Sequence, residues 1–167
     1  MKAASKSTTT DNAQDAIVLL TDDHKTVQKL FKDYEKLTKN DADDDEKAAL
    51  ATQICMELTI HAQIEEEIFY PALREAIKDT DLLNEAEVEH GTAKDLIAQL
   101  EAATAVDDMF DAKVKVLGEY IDHHVKEERN EIFVKARAAR GLDLVAMRDQ
   151  LAARKEQLMD ELVGAAA

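Results

Sequence analysis

The sequence predicts an all-α fold: an up-down-up-down four-helix bundle with an additional C-terminal helix. Of the 167 residues only 4 are Gly and 1 is Pro, so few positions interrupt a helix. Apolar residues recur at steps of three and four along most of the chain, which is typical of amphipathic helices. The periodic segments are joined by short polar stretches, and short connections favour antiparallel neighbours in a bundle.

The first two helices are predicted by long apolar stripes. We expect them over residues 15–37 and 45–78. Pro71 lies inside the second helix, which predicts a kink or a tightened turn near residues 67–70. The apolar stripe of this helix is expected to continue through Ile68 and Ala72.

Three further helices follow. The third is expected to begin at a cap formed by Thr80 or Asp81, and the fourth at a cap formed by Asp107 or Asp108. A fifth helix is predicted over residues 143–163. It contains no histidine, so we expect it to pack on the bundle or to contact another copy of the chain.

The domain organisation follows from these elements. We expect a flexible tail over residues 1–14, the bundle over 15–140, and the C-terminal helix with a short tail over 141–167. The start of the chain has no apolar region like that of a secretory signal, and no apolar run reaches membrane length. The single cysteine, Cys55, excludes an intramolecular disulfide and fits a reducing compartment. A cytoplasmic protein is the expectation.

The charge of the chain bears on its partners. Lys and Arg number 21 and Asp and Glu 36, giving a formal net charge of −15. Such a chain repels phosphate backbones and anionic lipid surfaces. Nucleic-acid and membrane partners are therefore disfavoured.

The histidines indicate a site inside the predicted bundle. Four of the five fall on the apolar stripes of four separate predicted helices: His24, His61, His90 and His124. Beside His90, Gly91 suggests that another backbone approaches closely there. His123 lies about 100° around the helix from His124, so we expect it at the surface.

Two of these histidines have a glutamate four residues later, which places His61 above Glu65 and His124 above Glu128 on one helix face. A buried carboxylate is costly unless a cation or hydrogen-bond donors compensate its charge. Two bound metal ions would compensate both glutamates and satisfy the four histidines. The alternative is that each pair forms a simple hydrogen bond within its helix, or that the glutamates point along the bundle edge.

The whole pattern resembles a known family. His24, then His61-Ala-Gln-Ile-Glu65, then His90, then His124-Val-Lys-Glu-Glu128 is similar to the histidine–HxxxE–histidine–HxxxE pattern of the hemerythrin-like proteins with HHE cation-binding domains. The resemblance extends over about residues 15–140. As a set the motif is specific, whereas a single HxxxE would be weak.

The resemblance implies a centre of two non-haem iron ions (Fe2+/Fe3+), with room for an oxo, hydroxo or water bridge. It implies that His24, His61, His90 and His124 are terminal metal ligands and that Glu65 and Glu128 bridge the two ions. Imidazole and carboxylate suit iron, with zinc and manganese as competitors.

The chain departs from the oxygen-carrying hemerythrins at two positions. Those proteins have a second histidine four residues after the one on the third helix, where this chain has Lys94, and an aspartate at a longer spacing on the fourth helix, where it has Glu128. Fewer imidazoles disfavour reversible oxygen carriage and favour redox chemistry at an open metal position. Near the site, Glu87 is expected to be solvated and Tyr120 to fill the core, although either could reach the metal. Four glutamates are expected on solvated helix faces: Glu66, Glu67, Glu127 and Glu131.

Three functional hypotheses follow. The first is a di-iron protein, monomeric or homodimeric, that binds or reacts with oxygen, hydrogen peroxide or nitric oxide in oxidative or nitrosative stress. Catalase-like decomposition of peroxide would make it an enzyme. The second is a non-enzymatic iron or oxygen sensor, or an iron buffer. The third is a purely structural bundle without metal.

Overall fold

The computed structural model describes residues 14–165, and these residues are helical apart from short loops, with no strand among them. The predicted tail lies outside the described residues except for Gln14, as do Ala166 and Ala167. The helices are α1 (Ala16–Lys39), α2 (Asp44–Ile64), α3 (Tyr70–Ala76), α4 (Asp81–Glu101), α5 (Asp108–Glu127), α6 (Phe133–Ala138) and α7 (Leu144–Ala165).

Aspartates fix the starts of three long helices. The side chain of Asp15 accepts from the backbone N–H of Val18 at the start of α1. Asp43 and Asp107 make the equivalent bonds before α2 and α5. Each bond satisfies one of the N–H groups that a helix start leaves unpaired. Thr80 precedes α4 without a side-chain bond to that helix.

Packing of the helices gives the predicted bundle. Helix α1 lies between α2 and α5, and α4 completes the ring by packing on α5 and α2. Helix α7 lies outside this ring against α1 and α2, where it buries Met147, Leu151 and Leu158. The all-α fold with a four-helix bundle and an additional C-terminal helix is confirmed.

Two π-helical turns interrupt the second and fourth long helices. Residues Glu65–Phe69 form one between α2 and α3, and Glu128–Ile132 form the other between α5 and α6. The expected irregularity near Pro71 is therefore a widened turn and not a tightened one. The second turn contains no proline, so proline is not the shared cause.

The first widened turn shifts the buried face by one residue. Ile68 and Ala72, predicted to be inward, are only partly buried, whereas Phe69, Tyr70 and Leu73 are fully buried. A π-helical turn holds one residue more than an α-turn, so every following side chain moves around the axis. The prediction for Ile68 and Ala72 was wrong for this reason.

The core consists of two apolar clusters with a polar layer between them. One cluster contains Leu20, Tyr70 and Phe133, and the other contains Val27 and Leu117. Along each of the four bundle helices, the histidine or glutamate of the predicted site falls between residues of one cluster and residues of the other. The bundle therefore holds its buried polar groups in one layer at mid-height.

Gly91 does not have the expected role. A β-carbon at this position would meet no atom within 4 Å, so no backbone packs closely there. Within residues 14–165, every helix is too short or too polar to cross a bilayer.

Candidate metal centre

All six predicted site residues meet in the polar layer. Helix α1 supplies His24, helix α2 His61, helix α4 His90 and helix α5 His124. Glu65 and Glu128 are each the first residue of a π-helical turn. Both glutamates are 0% exposed and the four histidines are 5–7% exposed. The alternative of glutamates pointing along the bundle edge does not hold, because both carboxylates are fully buried.

The first set of donor atoms lies between α1, α2 and the two glutamates. Nε2 of His24 lies 3.1 Å from Nε2 of His61. Oε1 of Glu65 lies 2.9 Å from the His61 nitrogen, and Oε1 of Glu128 lies 3.0 Å from the His24 nitrogen. One atom from each of these four residues falls within 4.8 Å of all the others.

The second set uses the other two histidines. Nε2 of His90 lies 3.2 Å from Nε2 of His124. Oε2 of Glu65 lies 3.1 Å from the His90 nitrogen, and Oε2 of Glu128 lies 3.4 Å from the His124 nitrogen. Each glutamate thus has one oxygen near each pair of histidines. In the second set, the ligand atoms that lie within 4.8 Å of one another belong to Glu65, His90 and His124.

The chemistry of the donors fits cations. Bonds from imidazole or carboxylate to a first-row divalent ion are about 2.0–2.2 Å, which places neighbouring ligand atoms about 3 Å apart at right angles. Oε1 of Glu65 and Oε1 of Glu128 are buried and accept no hydrogen bond, although a histidine nitrogen lies about 3 Å from each. A buried carboxylate oxygen that faces a nitrogen without a hydrogen bond between them destabilises the fold, unless a positive charge lies between the two atoms.

Within the polar layer, the charges of the histidines and carboxylates partly compensate one another. Burial lowers the pKa of His61, but Glu65 and Asp23 outweigh it, and the pKa is raised well above its usual value. The pKa of His124 is raised to about 10, because Glu128 and Glu89 outweigh burial. Burial would raise the pKa of Glu128, but its histidine partners hold it well below the usual range. A metal ion bound here would displace protons from His61 and His124.

Three carboxylates that sequence reasoning missed orient the histidine rings. Oδ2 of Asp23 lies 3.0 Å from Nδ1 of His61. For His90 and His124 the equivalent oxygens belong to Glu66, at 3.3 Å, and Glu89, at 3.4 Å. A carboxylate on Nδ1 turns Nε2 toward a metal and increases its strength as a ligand. Sequence spacing could not reveal these groups because each comes from a different helix than its histidine.

Glu66 also corrects an expectation. It was predicted on a solvated face, but it faces His90 and accepts from Lys94 with both oxygens at 2.7 Å. The pKa of Glu66 falls to about 2, since the hydrogen bond from His90 and the bonds from Lys94 outweigh partial burial. Lys94 thus neutralises an orienting carboxylate at the position where the oxygen carriers have a histidine.

Tyr70 is the second feature that sequence reasoning missed. Its hydroxyl lies 2.6 Å from Oε2 of Glu128 and 3.1 Å from Oε2 of Glu65. Burial raises the pKa of Tyr70 well above its usual value, and both carboxylates add to this effect, so the phenol stays protonated and is a hydrogen-bond donor to the two glutamates. The signal in the sequence was Tyr70 itself, but only the widened turn brings it to the inner face.

A small cavity adjoins the four histidines. Its volume is about 30 Å³, and its apolar walls include Val27, Leu58, Ile97 and Ile121. Neither Tyr70 nor the two glutamates line it, so the cavity lies on the side of the imidazoles. A space of this size holds about two waters, and therefore a diatomic molecule or a peroxide.

The other residues near the site lie outside it. The side chain of Glu87 is 48% exposed and pairs with Arg74, as expected of a solvated residue. Tyr120 is 41% exposed, so the prediction that it fills the core was wrong. His123 is at the surface, as expected, and pairs with Glu127 at 3.1 Å.

Comparison with known proteins bears on this geometry. The model of the hemerythrin HHE cation-binding domain matches residues 15–136. The chain belongs to this family. HHE domains bind metal ions, typically iron, so this family member has a metal-binding fold with His and Glu clusters suited to a metal.

Two individual proteins are similar to this HHE chain. A hemerythrin HHE cation-binding domain-containing protein from Mycobacterium kansasii superposes with a TM-score of 0.72 at 23% identity, covering 89% of this chain and 90% of that one. This likeness shows the fold. A curated protein from Nostoc, named DNA nickase, is 30% identical over 127 residues, which is 75% of this chain and 34% of the relative. The chain therefore spans about a third of that relative's length.

Proposed function

We propose that the chain is a non-haem di-iron protein that binds or reacts with a small oxidant: oxygen, hydrogen peroxide or nitric oxide. The observation that supports this most is the two pairs of histidines that both face Glu65 and Glu128, beside a small apolar cavity. Two shared carboxylates suit two adjacent ions better than one. The mixture of imidazole and carboxylate suits iron, with zinc and manganese as competitors.

The protein's residues have separate tasks in this proposal. His24, His61, His90 and His124 would hold the metal through ring nitrogens, and Glu65 and Glu128 would hold it through their carboxylates. Tyr70 donates to the glutamates from the side opposite the cavity. Bound iron would supply reversible electron transfer between its ferrous and ferric states.

The volume and the apolar walls of the cavity limit which molecules can bind beside the histidines. Its volume of about 30 Å³ excludes organic substrates of ordinary size, and its apolar walls favour uncharged ligands. Lys94 lies at its lining with its ammonium group paired to Glu66. Oxygen, nitric oxide and neutral peroxide satisfy both limits.

Cys55 does not compete with the metal for oxidants. It is buried, and burial raises the pKa of its thiol to about 12, with a further contribution from Glu101. The thiolate is the form that reacts with peroxide, so little of it exists near neutral pH. Any rapid peroxide reaction is expected to need the polar layer.

The test is anaerobic reconstitution of the full chain with ferrous iron, followed by absorption spectra before and after hydrogen peroxide. We expect near-ultraviolet charge-transfer bands that change on peroxide addition, and decomposition of peroxide to water and oxygen, with the released oxygen followed at an oxygen electrode. Cys55→Ala serves as the matched control and should behave as the wild type. Protein that stays colourless and free of iron after reconstitution would contradict the proposal.

A second candidate is a non-enzymatic iron or oxygen sensor, or an iron buffer. The observation that favours it is the position of the donor layer between two apolar clusters, where bound ions would mainly stabilise the fold. In this case the same reconstitution would give a large metal-dependent rise in melting temperature and no turnover of peroxide.

The activity in the name of the Nostoc relative is not part of the proposal. A nickase must approach the phosphate backbone of DNA, and this chain carries a net charge of −15. The matched segment is also about a third of that protein.

A further inference from the structure

Helix α7 lies beyond the segment that the family model matches, yet it reaches the polar layer. The match ends at residue 136 and α7 spans Leu144–Ala165. It packs on α1, on α2 and on the π-helical turn that begins with Glu65. Two consecutive α7 residues, Arg154 and Lys155, extend toward groups that adjoin the first donor set.

Lys155 connects α7 to a metal ligand through one intermediate residue. Its ammonium group donates a hydrogen bond to Oδ1 of Asp23, and Oδ2 of the same carboxylate accepts from Nδ1 of His61 at 3.0 Å. The Asp23 side chain is 8% exposed and that of Lys155 is 30% exposed. Each oxygen of a nearly buried carboxylate therefore has one partner.

The carboxylate of Asp23 needs both partners to stay in place. A buried oxygen without a donor loses the free energy of its hydration. Without Lys155, the Asp23 side chain gains by turning toward water. The His61 ring would then lose the acceptor that directs its Nε2 to Oε1 of Glu65, 2.9 Å away.

Arg154 pairs with a residue of the π-helical turn that begins with Glu65. Its guanidinium donates to both oxygens of Glu67, at 2.7 and 3.2 Å. Glu67 lies two residues after Glu65 in the π-helical turn. This pair is more exposed than the Lys155–Asp23 pair, so its contribution is the smaller one.

In the second donor set, an orienting carboxylate is held by a different lysine. The histidine His90 of this set faces Glu66, which is held by Lys94 from α4, a helix of the bundle itself. One orienting carboxylate of each donor set is thus held by a lysine, but only the first set takes its lysine from α7.

We infer that Lys155 is a positioning residue for the first metal site, so that α7 sets the affinity of one of the two sites. This inference rests on the proposed di-metal centre. It assigns to the C-terminal helix a role in metal binding beyond covering the bundle. Lys94 has the corresponding role at the second site.

Cobalt(II) is the probe for the test, with stepwise titration of metal-free full-length protein followed by visible absorption. Wild type should bind two equivalents. Lys155→Met should weaken one site about tenfold, the lower end of the range for groups that orient ligands. Lys155→Arg should restore it, and Lys94→Met is the matched control that should weaken the other site. Should Lys155→Met fail to fold, Lys155→Gln carries the same expectation.

Nitrogen-15 NMR of the zinc-loaded proteins identifies the affected ring. In Lys155→Met the Nδ1 proton of His61 should exchange faster with water while that of His90 stays protected, and Lys94→Met should give the reverse. A lower melting temperature with both cobalt affinities and both ring protons unchanged would show a merely structural lysine and overturn the inference. Wild type that binds fewer than two cobalt ions would instead contradict the di-metal centre itself.

Discussion

Glu65 and Glu128 place the strongest physical constraint on any account of this protein. Both carboxylates are fully buried, and each has an oxygen that accepts no hydrogen bond. One protonated histidine can balance the charge of one such carboxylate. Here, however, the same histidine rings also face each other in two pairs. Bound cations would satisfy all of these atoms together.

The six inward residues were predictable one by one, because helical spacing alone decides which side chains share an apolar face. Asp23 and Glu89 were not, since their function depends on which helices become neighbours. Tyr70 was missed for another reason: regular helical spacing does not place it beside Glu65, and the widened turn does.

The Tyr70 hydroxyl can be tested directly. Tyr70→Phe removes the donor to Glu128, and a hydrogen bond to a charged group contributes about 1.5–3 kcal/mol. We expect the metal-free variant to lose about that much free energy of unfolding in urea. With zinc bound the loss should be smaller, because the ions then compensate the carboxylates. Equal stability of the two metal-free proteins, or a larger loss with zinc, would show that the hydroxyl does not hold the glutamates.

At the scale of the helices, the two π-helical turns determine which residues meet. Both begin at a predicted bridging glutamate. The added residue moves Phe69 and Tyr70 inward where Ile68 was expected, and Phe133 reaches a position where its ring stacks on His24. Composition and periodicity predict the helices themselves well, but a one-residue insertion leaves no mark on local propensity.

Helix α4 offers a change that should strengthen an element without touching the site. Gly91 is exposed in the helix interior, and a β-carbon there meets no atom within 4 Å. Gly91→Ala is expected to stabilise the protein by about 0.5–1 kcal/mol, because glycine has the greater backbone freedom when unfolded. Chemical denaturation measures the gain.

The same variant should leave metal affinity unchanged. Although Gly91 follows His90 in sequence, its missing side chain points away from the packed interior. A loss of stability on substitution would mean that another group approaches this face after all.

At the scale of the whole molecule, the polar layer divides the core into two apolar clusters. The six charged or polar groups between the clusters are already buried, which is costly unless their charges are compensated. Bound metal would turn this weak layer into a cross-link of four helices. The sequence predicted this arrangement because the histidines and glutamates recur at one level of each helix, whereas the attachment of α7 through Lys155 required the tertiary contact.

The measurement that bears most directly on the di-metal centre is anaerobic loading of the full chain with ferrous iron, with iron content and thermal unfolding determined on one sample. We expect close to two irons per chain. A free ion concentration of a hundred times the dissociation constant should stabilise the fold by about 2.7 kcal/mol per site, seen as a higher melting temperature. Glu65→Ala should abolish most of this rise, since its oxygens face both donor sets. A wild-type protein that retains no iron and melts at the same temperature with and without it would contradict the account.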